Sequence, residues 1–177
     1  MRRRALLLVA FATVVTAAGC ANDQSSQGVV TDDVTLVGAW RSKIVFRDGA
    51  LAGVKDLEFM YAYNAGGTMT ESSNYDEAAN SSPPAYGMWK QIAPQTFQTK
   101  YVFFTTKEPA PGAGSPKGDW WPAGHGVLTE TITLSADGQT YTSTIRLATF
   151  DTNGAPVAGA GDGTGTGTRM AFEASAK

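Results

Sequence analysis

Residues 127–150 read VLTETITLSADGQTYTSTIRLATF, two β-rich runs, Val127 to Ser135 and Thr140 to Phe150, joined by Ala136-Asp137-Gly138-Gln139. Asp-Gly is a favoured pair for a type I′ turn, whose twist matches that of the flanking strands, so this stretch is predicted to be a β-hairpin. The same grammar extends in both directions. Leu57, Phe59, Tyr61 and Tyr63 alternate along residues 57–63, and Asn64-Ala65-Gly66-Gly67 then turns the chain into residues 68–73. Residues 86–92 and 96–106 flank Ala93-Pro94-Gln95, with Phe97, Thr99, Tyr101, Phe103 and Thr105 on one face and Gln98, Lys100 and Val102 on the other. Residues 35–47 place Leu36, Trp40, Ile44 and Phe46 on a common face against Arg41, Lys43 and Arg47. A turn at Thr152-Asn153-Gly154 leads through a Gly- and Thr-rich stretch to a last strand from about Gly165 to Ala174.

No apolar pattern of helical period persists from Val34 onward, so low helix content is expected. About eight strands in sequential hairpins predict an all-β fold. An open meander would leave two unpaired edges. Closure removes them, and eight strands close around an interior that holds side chains or one small ligand. The predicted fold is therefore an up-and-down antiparallel barrel over residues 34–177. A two-sheet sandwich is the alternative, but its crossovers need longer connections.

Gly38-Ala39-Trp40 at the head of the first strand resembles the G-x-W motif of lipocalin and calycin barrels. In that family the Trp closes one end beneath a basic residue of the final strand, a role the resemblance gives to Arg169. A guanidinium over an indole gains cation–π energy while sealing the base, so Gly38, Trp40 and Arg169 are read as structural.

The chain begins with Met1-Arg2-Arg3-Arg4, an apolar run from Ala5 to Ala18, and the small residues Ala17-Ala18-Gly19. This order reads as a signal peptide over residues 1–19. The apolar run is shorter than the roughly 20 residues that span a bilayer. Cys20, the one cysteine, follows directly and resembles the lipid-bearing cysteine of the bacterial lipobox, with Ala17 where Leu is usual. The resemblance implies lipidation at Cys20 and attachment to a membrane of the cell envelope through several acyl chains; ordinary cleavage nearby, leaving a free thiol, is the alternative. Residues 20–33 then serve as lipidated Cys and flexible tether.

Loss of the leader's three arginines leaves eleven basic against sixteen acidic residues, moving the net charge from −2 to −5. The remaining Lys and Arg are scattered singly, which disfavours nucleic acid as a partner. About 155 residues remain, enough for one domain with a substantial core.

Chemistry-bearing residues are few. His125, the only histidine, lies between glycines and reads as a surface loop residue before it reads as a haem ligand. No zinc ligand set, Ser-His-Asp order or nucleophile elbow occurs, and neither cofactor nor metal is predicted. Glu71, Glu130, Glu173 and Asp119 are candidates for a carboxylate pair, and most such acids face water. Residues 159–167, GAGDGTGTG, read as a flexible connection in preference to a calcium repeat or a phosphate loop. Residues 107–126 hold Pro and Gly around Trp120 and Trp121 and read as an irregular aromatic loop.

Two functions of different class follow, with a third as the plain alternative. The first is a non-catalytic lipoprotein binding a small apolar or amphipathic ligand, lined by Tyr61, Tyr101, Phe103 and Tyr141 beneath Trp120 and Trp121. The second is a barrel cyclase or isomerase resembling the allene oxide cyclase kind, working by shape with one or two acids. The third is a ligand-free interaction module. Interior volume and an inward, desolvated Glu near the mouth separate them.

Overall fold

Alternating side chains and short turns bring every strand beside its sequence neighbour, and the last pairs with the first. A computed structural model describes residues 34–75, 84–108 and 121–172. Within them lie β1 (Gly38–Phe46), β2 (Leu57–Tyr63), β3 (Thr68–Ser73), β4 (Ala85–Ala93), β5 (Thr96–Lys107), β6 (Trp121–Leu134), β7 (Thr140–Phe150) and β8 (Gly161–Arg169). All pairs are antiparallel and form a closed barrel in the order β1 to β8. Closure runs from Trp40 opposite Arg169 to Phe46 opposite Gly163. The expected all-β, eight-stranded closed barrel is present, compatible with a lipocalin-like fold. The signal peptide, Cys20 and the tether lie outside the described residues, as do Trp120, Asp119 and Glu173.

Three local expectations are corrected. β6 begins at Trp121, so residues 121–126 continue the ladder against β5 instead of forming an irregular loop. A register shift between Thr105 and Thr106 absorbs the irregularity that Pro122 and Gly124 announce. His125 is consequently a strand residue, paired with Phe104 and Phe150 and stacked on the Phe150 ring at 5.0 Å.

The glycine run is also strand. β8 spans Gly161–Arg169, with Gly163, Gly165 and Gly167 buried and Thr164, Thr166 and Thr168 exposed. A Cβ on Gly165 would lie 2.5 Å from the Ser143 Oγ and 2.9 Å from Ile44, and one on Gly167 would collide with the Tyr141 ring. This strand supplies backbone pairing while its neighbours supply the side chains. Before Arg169 it places only glycine on the inner face.

The 135–140 connection is not a two-residue type I′ turn, which requires positive φ at both central residues. Gly138 has φ 66° but Asp137 is not left-handed. A longer loop forms instead, in which the Gly138 N–H donates to the Ser135 carbonyl at 2.9 Å and the Gln139 N–H to Asp137 Oδ1 at 3.0 Å.

One end of the barrel is sealed. Trp40 is fully buried, its indole N–H donating to the Leu36 carbonyl at 2.9 Å, and the Arg169 guanidinium sits 4.3 Å from its ring centroid. The guanidinium also donates to the carbonyls of Gly138 (2.9 Å), Val37 (2.5 Å) and Thr35 (2.6 Å). A Cβ on Gly38 would lie 2.7 Å from Arg169 Nη1, so the glycine of the motif makes room for the cation.

Candidate functional site

The opposite end holds a cavity among the described residues. There the inner faces of β2, β5, β6 and β7 end in Leu57, Phe59, Phe103, Leu128 and Leu147, which wall a cavity of about 300 Å³. Glu71, Ser73, Thr105 and Thr149 add polar atoms, and Ala50 and Leu51 from the β1–β2 connection complete the rim. That connection is held over the mouth by backbone bonds, Arg47 N–H to the Asp162 carbonyl at 2.8 Å and Ala50 N–H to the Gly159 carbonyl at 3.3 Å. The Asp162 N–H in turn donates to Asp48 Oδ1 at 2.6 Å. The volume stands at the lower end of the range for small-molecule pockets, which are apolar concavities with a few polar groups.

Deeper in the barrel, two to four residues along the strands, the interior turns polar. Tyr61, Tyr101, Thr99, Glu130 and Ser143 are buried there, and Glu71 stands opposite Tyr61 across the β2–β3 pair. The Tyr61 and Tyr101 hydroxyls hydrogen-bond at 2.9 Å, and Tyr141 pairs with Ser42. The inward tyrosines thus satisfy one another and Ser42, the arrangement that competes with a hydrated void at this level. Tyr63 is the exception, its hydroxyl having no hydrogen-bond partner among the described residues.

Glu130 is the unusual member. It has no exposed surface, and neither carboxyl oxygen has a hydrogen-bond partner among the described residues. The Ser143 and Tyr61 hydroxyls lie near it without reaching good hydrogen-bond geometry. Burial pushes the carboxyl from its usual 4.5 up to about 7, the two hydroxyls opposing part of the rise. The same burial, reinforced by the Glu130 charge, raises Tyr61, Tyr63 and Tyr101 well above the ordinary tyrosine value.

No protein-family model matches the chain, and no curated protein matches its sequence.

Of the residues singled out as ligand contacts, Phe103 lines the mouth cavity. Tyr61 and Tyr101 lie in the polar layer below it, and Tyr141 packs near the sealed end with its ring 5.1 Å from Trp40. Trp121 opens β6 with 44% of its surface exposed, and Trp120 lies outside the described residues. His125 shares the outward face of β6 with Val127 and Thr129, away from the interior.

Among the candidate acids, Glu71 lines the cavity and Glu130 is sealed beneath it. Sequence reasoning put Thr99 on the face of Phe97 and Tyr101, where it is buried, named Glu130 without placing it, and missed Ser143 and Ser42. A signal for Glu130 was present. Leu128, Glu130, Ile132 and Leu134 alternate with Thr129, Thr131 and Thr133, so the acid occupies the apolar register of its strand.

Proposed function

We propose that this is an exported, lipid-anchored protein of the bacterial cell envelope whose lipocalin-like barrel binds a small apolar or amphipathic molecule in the mouth cavity. The observation that carries the reading is the barrel's asymmetry. Trp40 and Arg169 close one end, while at the other the described residues surround an apolar concavity of about 300 Å³. A barrel made only for packing has no use for such a concavity. The anchor rests on Cys20 after Ala17-Ala18-Gly19.

The test uses the full chain carrying Cys20→Ala, so that it stays in solution, and N-phenyl-1-naphthylamine as a neutral apolar fluorophore. Micromolar binding is expected, weakened at least tenfold by Thr105→Trp, which fills the cavity, and unchanged by Met88→Ala on the exposed outer face. Absence of binding would leave the interaction-module reading.

A second reading, a shape-directed cyclase or isomerase, is favoured by Glu130. A buried carboxyl titrating near neutrality is what a general acid or base requires. That reading needs Glu130 to touch a bound substrate, whereas binding alone needs only the cavity.

A further inference from the structure

Glu130 is an acid without a counter-charge. Among the described residues every Lys and Arg except Arg169 is exposed, and the Arg169 guanidinium is committed to three carbonyls and Trp40 at the sealed end. A buried charge is tolerated when paired and otherwise neutralises itself by shifting its pKa. Around Glu130 the groups facing inward are Tyr61 and Tyr63 from β2, Glu71 from β3, Tyr101 from β5, and Ser143 with Tyr141 from β7. None can supply a positive charge, and their rings present π faces. Tyr61 stacks on Tyr63 at 5.5 Å and meets Tyr101 edge-on at 5.9 Å. An acid among aromatic rings is complementary to an organic cation, which gains both an ion pair and cation–π energy.

The mouth cavity lies directly above. Leu128, Phe59 and Phe103 line it, and each is two residues along its strand from Glu130, Tyr61 and Tyr101 respectively. Two strand residues span roughly 7 Å, and because Glu130 is sealed from the cavity, a short chain extending from a group lodged there reaches it only as the Leu128 side chain moves aside. The neutral hydroxyls of Ser143 and Thr99, both buried without hydrogen-bond partners among the described residues, could accept the remaining protons of a primary ammonium.

We infer that the ligand is an organic ammonium with an apolar body, its apolar part in the mouth cavity and its cationic end passing Leu128 to the Glu130 carboxylate within the tyrosine layer. The inference rests on the mouth cavity being a binding site. It is tested on the full chain carrying Cys20→Ala with three probes of like shape, 2-phenylethylamine, 2-phenylethanol and 3-phenylpropionate, by isothermal titration calorimetry.

At pH 8 the amine, protonated below about 10 as alkylamines are, should bind at least tenfold more tightly than the alcohol, with the carboxylate weakest. The preference should shrink toward pH 5.5 as Glu130 takes up a proton, and Glu130→Gln should bring amine and alcohol within twofold. Alcohol or carboxylate binding as well as the amine overturns the ammonium class while leaving the cavity a binding site. So does a tenfold amine preference that survives in folded Glu130→Gln, or binding of N-phenyl-1-naphthylamine with none of the three probes bound. Failure of all four molecules to bind removes the cavity reading itself. Should Glu130→Gln not fold, the wild-type preference and its pH dependence decide the matter alone.

Discussion

Tyr141 and Gly167 stand opposite each other across the β7–β8 pair, and the ring of one occupies the space where a side chain on the other would be. The ring held there hydrogen-bonds Ser42 on β1 and packs 5.1 Å from Trp40. A glycine on the last strand therefore determines where the aromatic floor of the barrel sits. Gly167→Ala should destabilise the fold by about 1–3 kcal/mol, the usual range for overpacking a filled core. Gly66→Ala, with nothing near the new methyl and no positive φ, should stay within about 0.5 kcal/mol. Urea unfolding of the two variants measures the contrast, and equal effects would show that the Tyr141 ring is free to move aside.

The sealed end makes a second prediction. Trp40→Ala is expected to cost about 3–5 kcal/mol, as truncation of a large buried aromatic does. Arg169→Ala should cost roughly 2–3 kcal/mol, because three carbonyls lose a charged donor. The double variant should lose less than the sum of the two, since the ring and the cation share one contact. Additive losses in a thermodynamic cycle would mean that the stacking contributes nothing.

Stability should depend on pH through Glu130. Its folded value of about 7 lies above its usual 4.5, so between the two the folded state holds a proton that the unfolded state has released. Stability is then greatest below about 4.5 in this contribution, falls as pH rises to about 7, and is level above it, a loss on the order of 3 kcal/mol. Glu130→Gln should abolish the slope and be the more stable protein at pH 8. A wild type whose unfolding free energy is unchanged between pH 5 and 8 contradicts the buried, unpaired carboxyl.

The proposed anchor is checked by fractionation. Cys20→Ala should move the protein from the membrane fraction to the soluble exported fraction. Wild-type protein found soluble after export would show that Cys20 carries no lipid.

Much of the barrel was legible because strand pairing is local here. Residues 57–63, 68–73 and 140–150 alternate with period two and are bounded by turn residues, and the strands formed there match those bounds. Misreadings came where composition overrode period. Gly and Pro around residues 121–126 signalled a loop, yet backbone bonds to β5 and β7 hold the segment in the sheet. The Gly-Thr alternation of residues 163–168 carried the same period as any strand, hidden because its inner face is glycine.

By itself the sequence determined an all-β chain of about eight hairpin-linked strands and the inward parity of Trp40, Tyr61, Tyr101 and Tyr141. These follow from nearest-neighbour geometry, since alternation assigns each side chain a face before any strand finds its partner. Only the tertiary structure decided which hydroxyls meet and that Glu130 lies buried without a counter-charge beneath an apolar mouth. Those relations join residues from strands far apart in the chain, and their distances depend on the stagger with which β8 closes onto β1.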